Sequence, residues 1–249
     1  MHAPVNDLRM YYEIHGRLGT DRVPLVLLHG GGSTIETSFA SLLPLLSRNR
    51  PVVAFDQQGH GRTADVDKPF SFEQSAADAV ALLHHLEIPQ ADFFGYSNGG
   101  HIALQIALDH PESVRKLILE SMMYSREGTD PRFWQGFDHA KLDDMPQELR
   151  EAYRQTAPHP EQLQRFFDKS VERMRGFKGW TQAQIRSVRA PTLLVLGDRD
   201  VVTVQHAAQM QQLLPDGQLA VLPGADHMEI THRAPQVAEL VEHFLGASP

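Results

Sequence analysis

Four short stretches of the chain are apolar at nearly every position: residues 24–28 (Pro-Leu-Val-Leu-Leu), 51–55, the run entering Gly95, and 191–197. Continuous runs of strand length mark strands covered on both faces, as in a mostly parallel sheet. Residues 114–119 and 218–222 predict two more strands, and residues 10–15, which partly alternate, predict an antiparallel edge strand. Between the runs the apolar period lengthens. Residues 39–46 have apolar positions at 39, 42, 43, 45 and 46, which predicts a helix. Ser-Phe-Glu-Gln at 71–74 predicts a capping box for a helix to Leu86, with Ala76, Val80, Leu83 and Leu86 on one face. Helices are also predicted after Gly100, over 204–214 and over 235–245. Strand and helix alternate, so the expected fold is α/β, a doubly wound, mostly parallel sheet.

The alternation stops over residues 124–188. That segment has more charge and more aromatic residues, scattered prolines and no strand-like apolar run. It predicts a helical cap inserted into a core made of residues 1–123 and 189–249.

At 249 residues the chain suits one α/β core with an insertion. The formal net charge of −8, with no cluster of Lys and Arg, argues against a nucleic-acid partner. Absence of cysteine removes disulfides, a thiolate nucleophile and Cys-ligated zinc. No basic-then-apolar leader stands at the start and no run approaches 18 apolar residues, so a cytoplasmic protein without a membrane partner is expected. No feature of the chain speaks to oligomeric state.

The candidate chemistry gathers around residues 91–100. Gly95-Tyr96-Ser97-Asn98-Gly99 follows an apolar run and opens a helical segment, the arrangement of a nucleophile elbow. Glycines at both flanks let strand and helix pass closely while Ser97 takes a strained conformation. A serine hydroxyl needs a base, and the base a carboxylate to orient it. His227 and Asp200 each follow a predicted strand, so a parallel sheet would bring them to the edge where Ser97 sits. Asp198 is the alternative acid, and Asp226 adjoins the histidine. His29-Gly30-Gly31-Gly32 follows a buried strand, and the N–H of Gly31 or Gly32 together with that of Asn98 would make an oxyanion hole. Gly59-His-Gly61-Arg-Thr-Ala64 imitates a dinucleotide fingerprint, but Asp65-Val-Asp-Lys-Pro69 breaks any helix after it. No zinc-binding His-Glu-x-x-His occurs, and His84 and His85 point in different directions on one helix. No metal or cofactor is expected. Met122, Met123, Phe133, Trp134 and Phe137 are candidate walls of an apolar substrate pocket.

With these residues in view, the chain resembles an α/β-hydrolase over nearly its whole length. The match lies at His29 to Gly32, Asp56 to Thr63, the elbow, Gly197 to Asp200 and Gly224 to His227. It is similar to small serine esterases and to C–C hydrolase or haloperoxidase-like members with a helical cap. Such relatives commonly have Arg where Gln58 stands and Ser where Thr63 stands, in a loop that is usually structural. Haloalkane dehalogenases and epoxide hydrolases of this fold carry Asp at the elbow, so Ser97 disfavours those activities. The resemblance implies a cofactor-independent serine hydrolase acting on a small-molecule ester or lactone. No binding cluster for a charged group is legible, so a mainly apolar substrate is expected. C–C bond hydrolysis or perhydrolysis on the same residues, and a small-molecule receptor, are the alternatives.

Overall fold

A computed structural model describes residues 1–246. Eight strands form one sheet: β1 (His2–Val5), β2 (Leu8–His15), β3 (Leu25–Leu28), β4 (Val52–Phe55), β5 (Ala91–Tyr96), β6 (Val114–Glu120), β7 (Thr192–Gly197) and β8 (Gly217–Leu222). Their spatial order is β1-β2-β4-β3-β5-β6-β7-β8, antiparallel at β1/β2 and β2/β4 and parallel elsewhere. Strands β3, β4, β5 and β7 are buried at every position, which explains their unbroken apolar runs. The strand predicted at 10–15 is antiparallel but not an edge. His2–Val5 pairs outside it as β1, four residues too few to carry a periodic signal.

The helices are α1 (Ile35–Phe39), α2 (Leu43–Leu46), α3 (Phe72–His85), α4 (Asn98–Asp109), α5 (Pro131–Asp138), α6 (Gln147–Thr156), α7 (Leu163–Arg175), α8 (Gln182–Arg186), α9 (Val204–Leu213) and α10 (Ala234–Gly246). The helix predicted over 39–46 is in fact two short helices. Pro44 lies in the first turn of the second, where its missing N–H costs nothing. Ser71 caps α3 by accepting from the Gln74 N–H at 3.0 Å. Only half of the predicted box forms, because the Gln74 amide turns to Asp78 Oδ1 at 2.9 Å.

Two apolar clusters lie on the two faces of the sheet. One joins α3 and α4 to β1, β2 and β5, and the other joins α1, α2 and α10 to β3, β4 and β7. Between β6 and β7 the chain forms α5 to α8. Within that stretch Leu149, Tyr153, Leu163 and Phe166 pack with Phe70 of the core loop in a third cluster. Among the described residues no helix is long and apolar enough to cross a membrane.

The register aligns the strand ends that matter. Leu28 pairs with Gly95, Tyr96 with Glu120, Glu120 with Val195, and Gly197 with Leu222. From β3 the chain goes first to β4 on one side and later to β5 on the other, so the β3 and β5 ends diverge at a topological switch point. Such a crevice is where α/β sheets bind ligands.

Candidate active site

The end of β5 and the start of α4 leave Ser97 with φ 52° and ψ −113°. A positive φ is strained for a residue with a Cβ. The strain is held from both sides. The Ser97 N–H donates to the Glu120 carbonyl at 2.8 Å, and a Cβ on Gly95 or Gly99 would overlap the backbone of Gly99 or of Leu28, respectively. Only glycine at both positions permits so close a crossing of β3, β5 and α4.

His227 Nε2 lies 3.0 Å from Ser97 Oγ, and His227 Nδ1 lies 2.8 Å from Asp200 Oδ1. The other oxygen of Asp200 accepts from Ser121 Oγ at 2.6 Å. The Val202 N–H donates to Oδ1 at 3.2 Å. Burial works to raise the Asp200 pKa, but the hydrogen bond and charge of His227 and the two other donors outweigh it, and the carboxyl is held below its ordinary value. Neither alternative acid competes. Asp198 Oδ1 accepts from the Gly224 N–H at 2.7 Å and holds the turn leading to His227. Asp226 Oδ1 accepts from the N–H groups of Met228 and Glu229, both at 2.8 Å, and caps the turn that follows. The histidine loop is braced by Tyr96, whose hydroxyl donates to the His227 carbonyl at 2.6 Å. Gly197 closes the other side, since a Cβ there would overlap the carbonyl of Ala225.

The glycine loop after β3 meets the elbow across the switch point. A Cβ on Gly31 would lie 3.5 Å from that of Asn98, so the two residues stand side by side at the mouth of the crevice. Gly32 does not share this position. Its N–H donates to His60 Nε2 at 3.3 Å and is thereby engaged within the loop. A small network fixes the pair. Gln57 Nε2 donates to the His29 carbonyl at 2.8 Å, and Gln57 Oε1 accepts from Asn98 Nδ2 at 2.8 Å. His29 accepts the Gln57 N–H on Nε2 at 3.1 Å, and its Nδ1 lies 2.8 Å from the Gly30 carbonyl, which assigns the proton to Nδ1. Burial lowers its pKa to about 4, so the ring is neutral at pH 7.

The loop after β4 supplies these braces. Asp56 is fully buried and its carboxylate accepts from the N–H groups of Ile35 at 3.1 Å and Arg62 at 2.9 Å. Thr63 Oγ1 donates to the Asp56 carbonyl at 2.7 Å and accepts from the Tyr11 N–H at 2.8 Å, so threonine does the work of serine there. Gln58 Nε2 donates to Asp65 Oδ1 at 2.8 Å, and Lys169 of α7 contacts both oxygens of Asp65, at 2.6 and 2.7 Å.

Above Ser97 opens a cavity of about 660 Å³ lined by Gly31, Asn98, His227 and residues of α5, α6 and α7. Met123, Phe133 and Phe137 line it, as the sequence suggested. Met122 and Trp134 do not. Met122 packs beneath Gly100, whose Cβ would lie 2.9 Å from Met122 Cγ. Trp134 donates from Nε1 to the Arg126 carbonyl at 2.9 Å, carries the Arg126 guanidinium over its ring at 4.4 Å, and stacks on Phe177. Adjacent residues on a strand end or helix point apart, so only one of each pair reaches the cavity.

Two cavity residues had no sequence signal. His101 of α4 is buried with an unpartnered Nδ1 and is stacked on Trp180, and burial lowers its pKa to about 3. Arg173 of α7 is only 8% exposed, has no carboxylate partner among the described residues, and leaves Nε unpartnered. Its guanidinium lies over the rings of Phe70 and Phe72 at 5.4 and 5.3 Å, with Nη2 3.9 Å from where a Cβ on Gly31 would sit. Burial lowers its pKa to about 10, which leaves it charged at pH 7. The apolar cavity therefore contains a buried, uncompensated cation. One Arg in a segment rich in charge gives no hint that it turns inward.

The model of a family described as the alpha/beta hydrolase family matches residues 25–240. The chain is 29% identical over 252 residues to Serine hydrolase BPHL of Mus musculus, covering 97% of this chain and 84% of that protein. It is also 29% identical over 245 residues to the 2-hydroxymuconate semialdehyde hydrolase of Pseudomonas sp. strain CF600, covering 90% and 87%. Among solved structures, the meta-cleavage product hydrolase of Pseudomonas fluorescens IP01 superposes with a TM-score of 0.82 at 20% identity, covering 97% of this chain and 96% of that one.

Proposed function

The chain belongs to the alpha/beta hydrolase family, and from that premise we propose that it is a serine hydrolase cleaving a carboxylic ester or lactone. The observation that carries the reading is the unbroken chain of hydrogen bonds from Asp200 through His227 to Ser97, at 2.8 and 3.0 Å, ending at the cavity floor. Ser97 Oγ attacks the carbonyl carbon as His227 takes its proton, and Asp200 orients the ring and stabilises the imidazolium. The N–H groups of Gly31 and Asn98 hold the oxyanion. His227 then protonates the leaving oxygen, and a water activated by the same histidine clears the acyl-enzyme. Residues 124–188 act as a cap over a core of residues 1–123 and 189–249.

The walls favour a mainly apolar substrate. Arg173 adds a requirement that the sequence did not reveal, because a buried cation without a counter-charge suits a carboxylate on the substrate. C–C bond hydrolysis on the same residues is the second reading. It is favoured over perhydrolysis by Arg173 and by the similarity to a relative named for an acid, 2-hydroxymuconate semialdehyde.

A pH-stat assay with methyl butyrate and monomethyl adipate, alongside labelling by a fluorophosphonate, tests the proposal. Wild type should turn over at least one ester and take the label at Ser97. Ser97→Ala should lose the label and about 10⁴-fold or more in kcat. Equal rates in wild type and variant would remove Ser97 as nucleophile. Turnover of a vinylogous diketone acid with no ester turnover would transfer the assignment to C–C hydrolysis.

A further inference from the structure

A second, smaller space of about 100 Å³ also opens at Ser97. Its walls differ in chemistry from those of the large cavity. Phe133, Phe137, Phe166 and other apolar residues dominate the large one, beside His101 and Arg173, whereas Ser33, Thr37, Glu148, Thr231 and His232 stand around the small one with Tyr96 and Met228. Among the described residues four line both: Gly31, Ser97, His227 and Leu149. Three of these are the residues assigned above as oxyanion donor, nucleophile and base, so the spaces meet where the bond would break. The fourth, Leu149 of α6, is buried and its Cδ1 would lie 3.6 Å from a Cβ on Gly32. Among the described residues it is the one shared side chain outside the reacting groups.

We infer that the large cavity takes the acyl half of the substrate and the small, less apolar niche takes the leaving alcohol, so that the protein selects esters of short alcohols, with Leu149 as the partition that sets the limit. The inference rests on the serine hydrolase reading. On acylation the bond from Ser97 Oγ to the acyl carbon forms and the acyl carbon–alkoxy oxygen bond breaks. The alkoxy oxygen takes the proton that His227 received from Ser97. On deacylation a water gives one proton to His227 as its oxygen bonds to the acyl carbon, and Ser97 Oγ departs with that proton. Leaving alcohol and incoming water must therefore occupy one place, within hydrogen-bond reach of His227 Nε2. The niche suits that condition because Ser97 and His227 themselves line it, and the loop after His227, through Met228, Thr231 and His232, forms one of its walls. Hydroxyl-bearing walls suit an alcohol or a water, and apolar walls suit an acyl chain. At about 30 Å³ per water the niche of about 100 Å³ holds about three waters, or an alcohol of about two carbons.

Two series of esters test this with the full chain in a pH-stat. One varies the acyl group from butyrate to dodecanoate as methyl esters. The other varies the alcohol of a butyrate from methyl to hexyl. The expected result is kcat/KM that is level or rising along the acyl series and falls about tenfold or more between the ethyl and hexyl esters. A fall along the acyl series with tolerance of hexyl would overturn the assignment of the two spaces. Absence of turnover throughout, with no fluorophosphonate labelling at Ser97, would instead sink the serine hydrolase reading. Leu149→Ala should raise the ratio of hexyl to methyl kcat/KM about tenfold, and Leu149→Val, a smaller change to the same apolar cluster, should raise it less. An unchanged ratio in both variants would show that Leu149 is not the partition.

Discussion

Ser121 Oγ donates to Asp200 Oδ2 at 2.6 Å from a backbone held at φ 54°. The hydroxyl is therefore placed by a conformation that disfavours most side chains, and glycine can reproduce the backbone without the donor. Ser121→Gly should lower kcat about tenfold with little change in KM, the worth of one hydrogen bond to a charged group. The Asp200 carboxyl, held below its ordinary value, contributes stability above pH of about 4 that is lost as pH falls through its folded value. The melting temperature of Ser121→Gly should accordingly fall most against wild type at neutral pH, and the gap should close in acid. A gap that stayed constant with pH would show the loss to be one of packing.

Gln57 ties the two halves of the proposed oxyanion hole, with the His29 carbonyl on one side and Asn98 on the other. Gln57→Leu keeps the bulk and removes both bonds. It should reduce kcat about tenfold or more through loss of donor alignment, while a fluorophosphonate still labels Ser97. Unaltered kcat would mean that backbone geometry alone positions Gly31 and Asn98.

Arg173 couples stability against use. An unpaired buried charge is costly, so Arg173→Met should raise the melting temperature, by an amount equivalent to about 1 kcal/mol or more. The same change should lower the ratio of kcat/KM for monomethyl adipate to that for methyl hexanoate about 100-fold. A ratio that did not move would leave Arg173 without a role in recognition.

The pH dependence of stability has two opposed sources. Burial lowers the pKa of His29 and His206 to about 4, of His101 to about 3, and of His60 well below its ordinary value. Below pH of about 6.5 the unfolded chain binds protons that the folded chain refuses, so stability falls as pH drops. Burial, with the nearby charge of Asp200, raises the pKa of Glu120 to about 8. That contribution is complete below pH of about 4.3 and is lost as pH rises to about 8. Burial also raises Asp56 to about 6, yet four histidines outweigh these two carboxyls in acid, and the opposing slopes cancel only as the unfolded histidines lose their protons, so the melting temperature should peak near pH of about 7. Glu120→Gln should flatten the alkaline slope, which calorimetry between pH 5 and 8 would reveal.

Gly99 offers a direct test of the crossing. A Cβ there would overlap the Leu28 carbonyl, a backbone atom that cannot swing aside. Gly99→Ala should cost about 3 kcal/mol or prevent folding, as read by denaturant unfolding. A cost well below that would mean β3 shifts with ease.

Much of this arrangement was legible in the chain because it depends on local chemistry. The runs of β3, β4, β5 and β7 are apolar because each strand is covered on both faces, and the spacing of Ser97, Asp200 and His227 follows strand ends. What stayed hidden depends on where side chains turn. Phe133 and Phe137 reach the cavity while Trp134 between them does not, and the periodicity of so short a helix does not say which face meets the cavity. Gln57 and His60 sat in a loop, Asp56 to Thr63, that was marked by resemblance as structural, with no sign of which side chains reach the glycine loop and Asn98. Arg173 looked like the other cations of its segment, since nothing in sequence separates a solvated guanidinium from one stacked between Phe70 and Phe72. β1 was missed because four residues alternate too briefly to register.

The Gly99 crossing also bears on how the protein could be remodelled. Ser97, Asp200, His227, Gly31 and Asn98 all stand on turns at the ends of β3, β5, β7 and β8, and their hydrogen-bonded braces come from the sheet and the loops around it. Helices α5 to α8 contribute none of them. Replacing that stretch with one from a relative would exchange the walls, Arg173 included, and leave the reacting groups in register. A designer seeking a new substrate range therefore has a graft whose two ends are the strands β6 and β7, while Gly95 and Gly99 are the positions that tolerate no exchange.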